Sequence, residues 1–334
     1  MAEIPPPASG ARVGVRDVAR AAGVSAQTVS RVINAHPNIR PETRERVLAA
    51  MAQLDYRVNN AARALGTRTT RTLGVIASDA TLYGPAVGIA ALDAAAREAG
   101  RWIATAYADA ADEASVLDAA RRLQDQGVDG IVVLAPHART LRALAASQPD
   151  LALEAMHTGE GAERQREGAE LAVAHLVELG HRCIARLAGP ADWLEAAARD
   201  AGTDDALARR GLEPGRRWTG DWSATTGAAL ASEIAAAVRS PGGPTAIVAA
   251  NDQMALGLIA ALRAEGIEVP RDVSVAGFDD NPDAGYYRPA LTTVRLDVAG
   301  EARRVVAAAV GEASGALDPA PPVLVVREST ARID

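Results

Sequence analysis

The chain has 334 residues, a net charge of −7, about 49% apolar residues and only 3% aromatic ones. It has no apolar run of about 18 residues and no basic-then-apolar leader, which argues against a membrane span or an export signal and for a soluble, cytoplasmic protein. A single cysteine, Cys183, excludes an internal disulfide; in the apolar run CIARLAG it reads as a buried, inert thiol. The length exceeds one ordinary domain and fits a small module joined to a large α/β core.

The charge is unevenly spread. Residues 1–71 carry 11 arginines against five acids, a net +6, whereas residues 72–334 carry 24 arginines against 37 acids, a net −13. A basic head on an acidic body is the asymmetry expected when only the head meets phosphate.

In chain order, residues 1–12 open on a proline-rich stretch and read as a disordered tail. The run VRDVARAAGVSAQTVSRVIN then predicts two short helices joined by a tight turn. Val15, Val18, Ala19 and Ala22 recur at helical spacing, Gly23 stops the first helix, and Ser25 caps the second. Val24, Val29 and Val32 face the first helix, leaving Ala26, Gln27, Ser30 and Arg31 outward. A third helix is predicted from Pro41, with Val47, Leu48, Met51 and Leu54 on its inner face. Two helices so joined are a DNA-reading unit when the second presents polar groups near its start. A solvated amphipathic helix in an ordinary bundle has the same local pattern. The segment NNAARAL, residues 59–65, is shorter than the roughly 12–15 residues an isolated helix needs. It is either a flexible linker or a helix ordered only on docking.

From Thr72 apolar runs alternate with helical segments: TLGVIA, GIAALDAAAREAG, WIATAY, VLDAARRLQDQG and VDGIVVLA, then a second series through CIARLAG, TAIVAAND and DVSVAGFDD. This βαβ repetition predicts parallel sheets with helices on both faces, and ligands at the carboxyl ends of the strands. No GxGxxG, GxxxxGK[ST] or GxSxG motif occurs, and His36, His137, His157, His175 and His181 lack metal-ligand spacing. Asp279 and Asp280 are adjacent and cannot both address one substrate face. No enzyme activity, cofactor or metal is therefore expected. Polar residues do close several strands: Ser78, Asn251 with Asp252, and Asp279 with Asp280. Either they bind a small molecule or they cap the helices that follow.

A resemblance separates these alternatives. The run DVARAAGVSAQTVSRVIN and the later TRERVLAAMAQLDYRVNNAARAL resemble, over residues 13–66, the head of the lac repressor family. GDWSATTG, ANDQMALG, DVSVAGFDD and YYRPALTTV are similar to the core of the branch that gives the family its name. The resemblance implies an all-α helix-turn-helix head (13–58), a hinge helix and linker (59–70), and an α/β core (71–334) of two doubly wound, periplasmic-binding-protein-like lobes. It implies a first lobe over 71–160 and 295–319 and a second over 161–294 and 320–330, with crossings near 160, 294 and 320. It implies that Ala26, Gln27 and Arg31 meet base edges, that Ser25, Thr28, Ser30 and Asn34 hold phosphates, and that Asn59, Ala62 and Leu65 belong to the minor-groove hinge, Leu65 as its wedge. Ser78, Glu154, Arg199, Trp222, Asn251 and Asp279 would line the effector pocket.

The sequence departs from the pattern at Ala26, where the family's namesake has tyrosine, so the operator is expected to differ. It departs again at Glu154 for aspartate, at Leu296 for glutamine, and by residues missing between Met156 and Glu167. The expected protein is a homodimer on a near-palindromic operator, since no tetramer-forming helix follows the last strand-like segment. It is expected to act as a repressor released by a galactoside- or glucoside-like sugar. A purine- or phosphosugar-responsive corepressed regulator and a free sugar-binding protein are the alternatives.

Overall fold

A computed structural model describes residues 13–34, 36–56, 69–78, 81–134, 136–147, 149, 151–311 and 318–333. The expected hinge residues Asn59, Ala62 and Leu65 lie outside the described residues. The chain divides into two units, Met1–Thr70 and Arg71–Asp334.

In the first unit α1 spans Val15–Ala22, α2 Ala26–Ile33 and α3 Pro41–Gln53. Gly23 ends α1 in the left-handed region at φ 63°, where a Cβ would be strained. Ser25 starts α2, its Oγ accepting from the Thr28 amide at 3.1 Å. Val18, Ala22, Val29, Val32, Val47 and Ala50 bury together. Leu48 is 52% exposed, contrary to the expectation that it faces inward. Val47, Ala50 and Leu54 keep the i, i+3, i+7 spacing, and Leu48 lies about 100° round the helix from Val47.

In the second unit, four parallel strands form the first sheet: β1 (Thr72–Ala77), β2 (Trp102–Tyr107), β3 (Gly130–Val133) and β4 (Ala152–Ala155), in the order β2-β1-β3-β4. Helices α4 (Tyr83–Glu98), α5 (Glu113–Asp125) and α6 (Ala138–Ser147) connect them. Successive side chains on a strand point to opposite faces. Leu73, Val75 and Ala77 therefore join one buried cluster with Leu92 of α4, while Ile76 joins another with Val116 of α5.

After α7 (Glu160–Glu178), a second sheet has the order β10-β9-β8-β7-β5-β6: β5 (Ile184–Ala188), β6 (Arg217–Thr219), β7 (Ala246–Ala249), β8 (Ser274–Phe278), β9 (Thr292–Arg295) and β10 (Val323–Val325). Only the β9–β10 pair is antiparallel. Helices α8 (Leu194–Ala208), α9 (Ala224–Ala229), α10 (Ala231–Arg239) and α11 (Asp252–Ala264) cover its two faces, again as two clusters. Helix α12 (Val298–Ala309) returns to pack on α4, β3 and β4, and β10 rejoins β9. The chain thus passes between lobes between β4 and α7, between β9 and α12, and between α12 and β10.

Cys183 is half-buried, less enclosed than expected, with Sγ 3.4 Å from the Gly242 carbonyl oxygen. His175 and His181 tie down the C-terminal segment, at 2.9 Å to Thr330 Oγ1 and 3.1 Å to the Ala331 carbonyl oxygen. Among the described residues no helix is long and apolar enough to cross a membrane, and no cluster suits a metal ion.

Candidate functional site

The outward face of α2 carries Ala26, Gln27, Ser30 and Arg31, all exposed. Among the described residues neither Gln27 nor Arg31 has a side-chain partner, which leaves their donors and acceptors open to solvent. Ser25 and Thr28 sit at the helix start with their hydroxyls 2.9 Å apart. Asn34, at the other end, reaches Ser30 Oγ at 3.5 Å.

In the second unit a cavity of about 280 Å³ lies where the carboxyl ends of both sheets face each other. From the second lobe come Arg199 of α8, Trp222 from the turn after β6, Asn251 at the start of α11, and Asp279 after β8. The first lobe adds Leu82, Tyr83, Pro85 and Val87, and the crossings add His157, Leu296 and Asp297. Each guanidinium nitrogen of Arg199 makes one hydrogen bond. Its Nε donates to Gln165 Oε1 at 2.7 Å, Nη1 to the Ala250 carbonyl, and Nη2 to Asp279 Oδ1 at 3.2 Å. Its guanidinium lies 3.9 Å over the Phe278 ring.

Asn251 does both things the sequence left open. Its Oδ1 caps α11 by accepting from the Met254 amide at 2.9 Å, and its Nδ2 donates to the Trp222 carbonyl at 2.9 Å, fixing the indole-bearing turn. Gly189 permits that indole to lie on the backbone, because a Cβ there would sit 2.4 Å from the ring. Trp222 (φ 76°), Asp279 (φ 113°), Asp280 (φ 49°) and His157 (φ 61°) all hold left-handed backbone, and all line the cavity. Each costs about 1–3 kcal/mol, held by its surroundings, as at functional sites.

Two expected residues lie elsewhere. Glu154 is inside β4, paired with Val132, and the cavity is met instead by Met156 and His157 beyond the strand's end. Ser78 is buried with a hydroxyl that has no partner among the described residues; it lines an adjoining groove with His137 and Trp193. Trp193 borders both spaces, its ring 5.7 Å from Trp222 in an edge-on pose and 4.9 Å from His137. The backbone there bridges the lobes: the Leu194 amide donates to the Pro136 carbonyl at 3.1 Å and the Ala138 amide to the Asp192 carbonyl at 3.3 Å.

His157, Gln165, Trp193 and Glu195 were not anticipated at the cavity. The one available signal was their place at strand ends and crossings, in PADWLE after β5 and MHT after β4. Burial pushes Asp279 up to about 6, against the opposing pull of Arg199. Burial pushes Asp252, beneath it, up to about 8, helped by the Asp279 charge. Burial alone lowers His157, but the Glu301 carboxylate at 3.4 Å more than reverses this and raises it.

The profile of the lacI family of bacterial regulatory proteins matches residues 15–59, and that of the periplasmic binding protein-like domain matches 173–331. The chain is 35% identical over 292 residues to the lactose operon repressor of Escherichia coli (strain K12), covering 85% of this chain and 80% of that one. Against a crystal structure of the lac repressor dimer bound to operator and the anti-inducer ONPF, the TM-score is 0.78 at 32% identity, covering 96% of this chain and all of that one. Against the transcriptional regulator CelR in complex with cellobiose it is 0.64 at 27% identity, covering 95% and 100%. With a helix-turn-helix head and a two-lobed effector-binding core, the chain belongs to the LacI family of DNA-binding transcription regulators, which are not enzymes.

Proposed function

We propose that this repressor binds a near-palindromic operator as a homodimer and is released by a galactoside- or glucoside-like sugar. The carrying observation is convergence: Arg199, Trp222, Asn251 and Asp279, from four separate segments, meet in one cavity that pairs charged groups with an indole wall. A sugar needs bidentate partners for its hydroxyls and an aromatic face for its C–H side. The CelR–cellobiose complex supports the ligand class, and the operator-bound lac repressor dimer supports the assembly. Exposed Trp102 and Tyr107 on the edge strand β2, with Leu256 and Tyr286 on the second lobe, support burial against a second copy.

In this reading Ala26, Gln27 and Arg31 read bases, Ser25, Thr28, Ser30 and Asn34 hold phosphates, and Asn59, Ala62 and Leu65 form the hinge. Selection from a pool of random duplexes is expected to return an inverted repeat with half-sites about one helical turn apart. Calorimetric titration with mono- and disaccharides, purines and sugar phosphates then tests the effector. Binding of a purine or a sugar phosphate, with no neutral sugar bound, would replace the sugar reading.

A further inference from the structure

Glu195 stands in the first turn of α8, is 7% exposed, and lines the cavity. Its Oε2 is buried without a hydrogen-bond partner, and among the described residues its carboxylate has no ion pair. The cations nearby are committed. All three Arg199 nitrogens are engaged, Arg295 pairs with Asp280 at 3.7 Å, and His157 faces Glu301 and Gln165. The other acids at the cavity are each answered: Asp279 by Arg199, Asp280 by Arg327 at 2.6 Å, and Asp297 by the Gly300 and Ala320 amides. Among these acids Glu195 alone has no hydrogen-bonded or ion-paired partner among the described residues; only the longer-range attraction of the His157 imidazole reaches it. An acid in a helix's first turn is favoured by the peptide dipoles, more so where it is partly buried. A buried carboxylate oxygen left without a hydrogen-bond donor costs more than that end effect returns.

Two further features surround this group. The Trp222 indole N–H is also buried without a partner among the described residues, and Trp193 and Trp222 wall the space. The interlobe backbone bridge at Leu194 fixes the position next to Glu195. An ionised carboxylate only accepts, and suits two adjacent O–H or N–H donors.

We propose that Glu195 is the specificity-determining residue of this cavity, clamping two neighbouring donors on a neutral or cationic glycoside and rejecting anionic sugars. This deepens the sugar reading above and rests on it for the ligand class. The diol of a neutral sugar and the amino alcohol of an amino sugar offer the same donor pair.

The test uses the full chain and the variants Glu195→Gln and Glu195→Asp. Without ligand, Glu195→Gln is expected to melt above the wild type, because it replaces a buried carboxylate oxygen that has no hydrogen-bond donor. Titration uses methyl galactoside and methyl glucoside as diols, galactosamine and glucosamine as amines, and glucose 6-phosphate as the anion. The better of the diol or amine probes is expected to lose about ten- to hundredfold in affinity in Glu195→Gln. Glucose 6-phosphate is expected to bind only that variant, with Glu195→Asp still rejecting it. A lower melting temperature with unchanged relative affinities would make Glu195 a helix-end charge and overturn the proposal, as would equal binding of the phosphate by the wild type. If no sugar binds, the sugar reading falls separately; the melting shift of Glu195→Gln still decides whether the carboxylate lacks a hydrogen-bonded partner.

Discussion

Asp252 and Asp279 make the core's stability depend on pH in an unusual direction. Both have folded values raised above the ordinary 3.8, to about 8 and about 6, chiefly by burial. The folded state therefore holds these protons more tightly than the unfolded one. Their stabilisation is full below about pH 4 and is lost as pH rises through the folded values. His157, also raised, acts in the same sense above 6.5. His175 and His181 are lowered by burial, so their contribution is present above 6.5 and lost as pH falls through their folded values. Between about pH 6.5 and 8 the melting temperature is expected to fall as pH rises, and Asp252→Asn is expected to flatten that slope; parallel profiles would contradict the assignment. Asp252 was read as a possible helix cap, yet Asn251 does the capping. Asp252 instead accepts from Thr293 Oγ1 at 2.6 Å and the Asn281 amide at 2.8 Å. Arg199→Ala strands Asp279 as an unpaired buried charge and is expected to lower stability by about 3–5 kcal/mol in urea unfolding. The resemblance carried Arg199, Trp222, Asn251 and Asp279 to the cavity. Glu195 and His157 escaped because a lone acid or imidazole has no local signature; only the tertiary fold decides that it is buried beside a cavity.

Element by element, local pattern was a good guide wherever one physical effect dominated. Gly23 and Ser25 mark the turn between α1 and α2 because left-handed backbone and a free N–H each demand a particular residue type. Ser25→Ala is expected to cost the head about 1 kcal/mol, read as a lower midpoint for the head's own unfolding with that of the core unchanged. Strands β1, β2 and β7 were legible as apolar runs bounded by polar ends. The three-residue β6 was not, because Arg217–Thr219 holds one buried residue, Trp218, and offers no periodicity to read. Leu48 shows the opposite failure: an apolar residue invites a core assignment, although helix geometry turns it to solvent once Val47 is anchored. Glu154 failed for a geometric reason. The resemblance put Glu154 in the pocket, but β4 extends past it to Ala155, so the chain reaches the cavity only at the following residues.

At the scale of the whole molecule, charge and coupling are separable. A +6 head on a −13 body confines phosphate attraction to the head, so operator affinity is expected to be steeply salt-dependent. A dimer making about 6–10 phosphate contacts loses roughly 10³–10⁵-fold between 50 and 200 mM salt. The cavity proposed to hold the effector sits on the acidic unit, and a neutral sugar, as proposed, would release no counterions, so its affinity is expected to change little over the same range. That contrast allows a clean test of linkage. If effector and operator act on one two-state equilibrium, the factor by which sugar weakens operator binding equals the factor by which operator weakens sugar binding, about 5–150-fold at fixed salt. Raising the salt should lower both operator affinities, with and without sugar, while leaving their ratio intact, since the ratio belongs to the conformational equilibrium and not to the phosphate contacts. Anisotropy titrations of operator with and without sugar, and calorimetry of sugar with and without operator, close the cycle. Unequal factors would mean that the sugar acts through something other than the two-state change, and a ratio that collapses with salt would place the coupling in the phosphate contacts themselves.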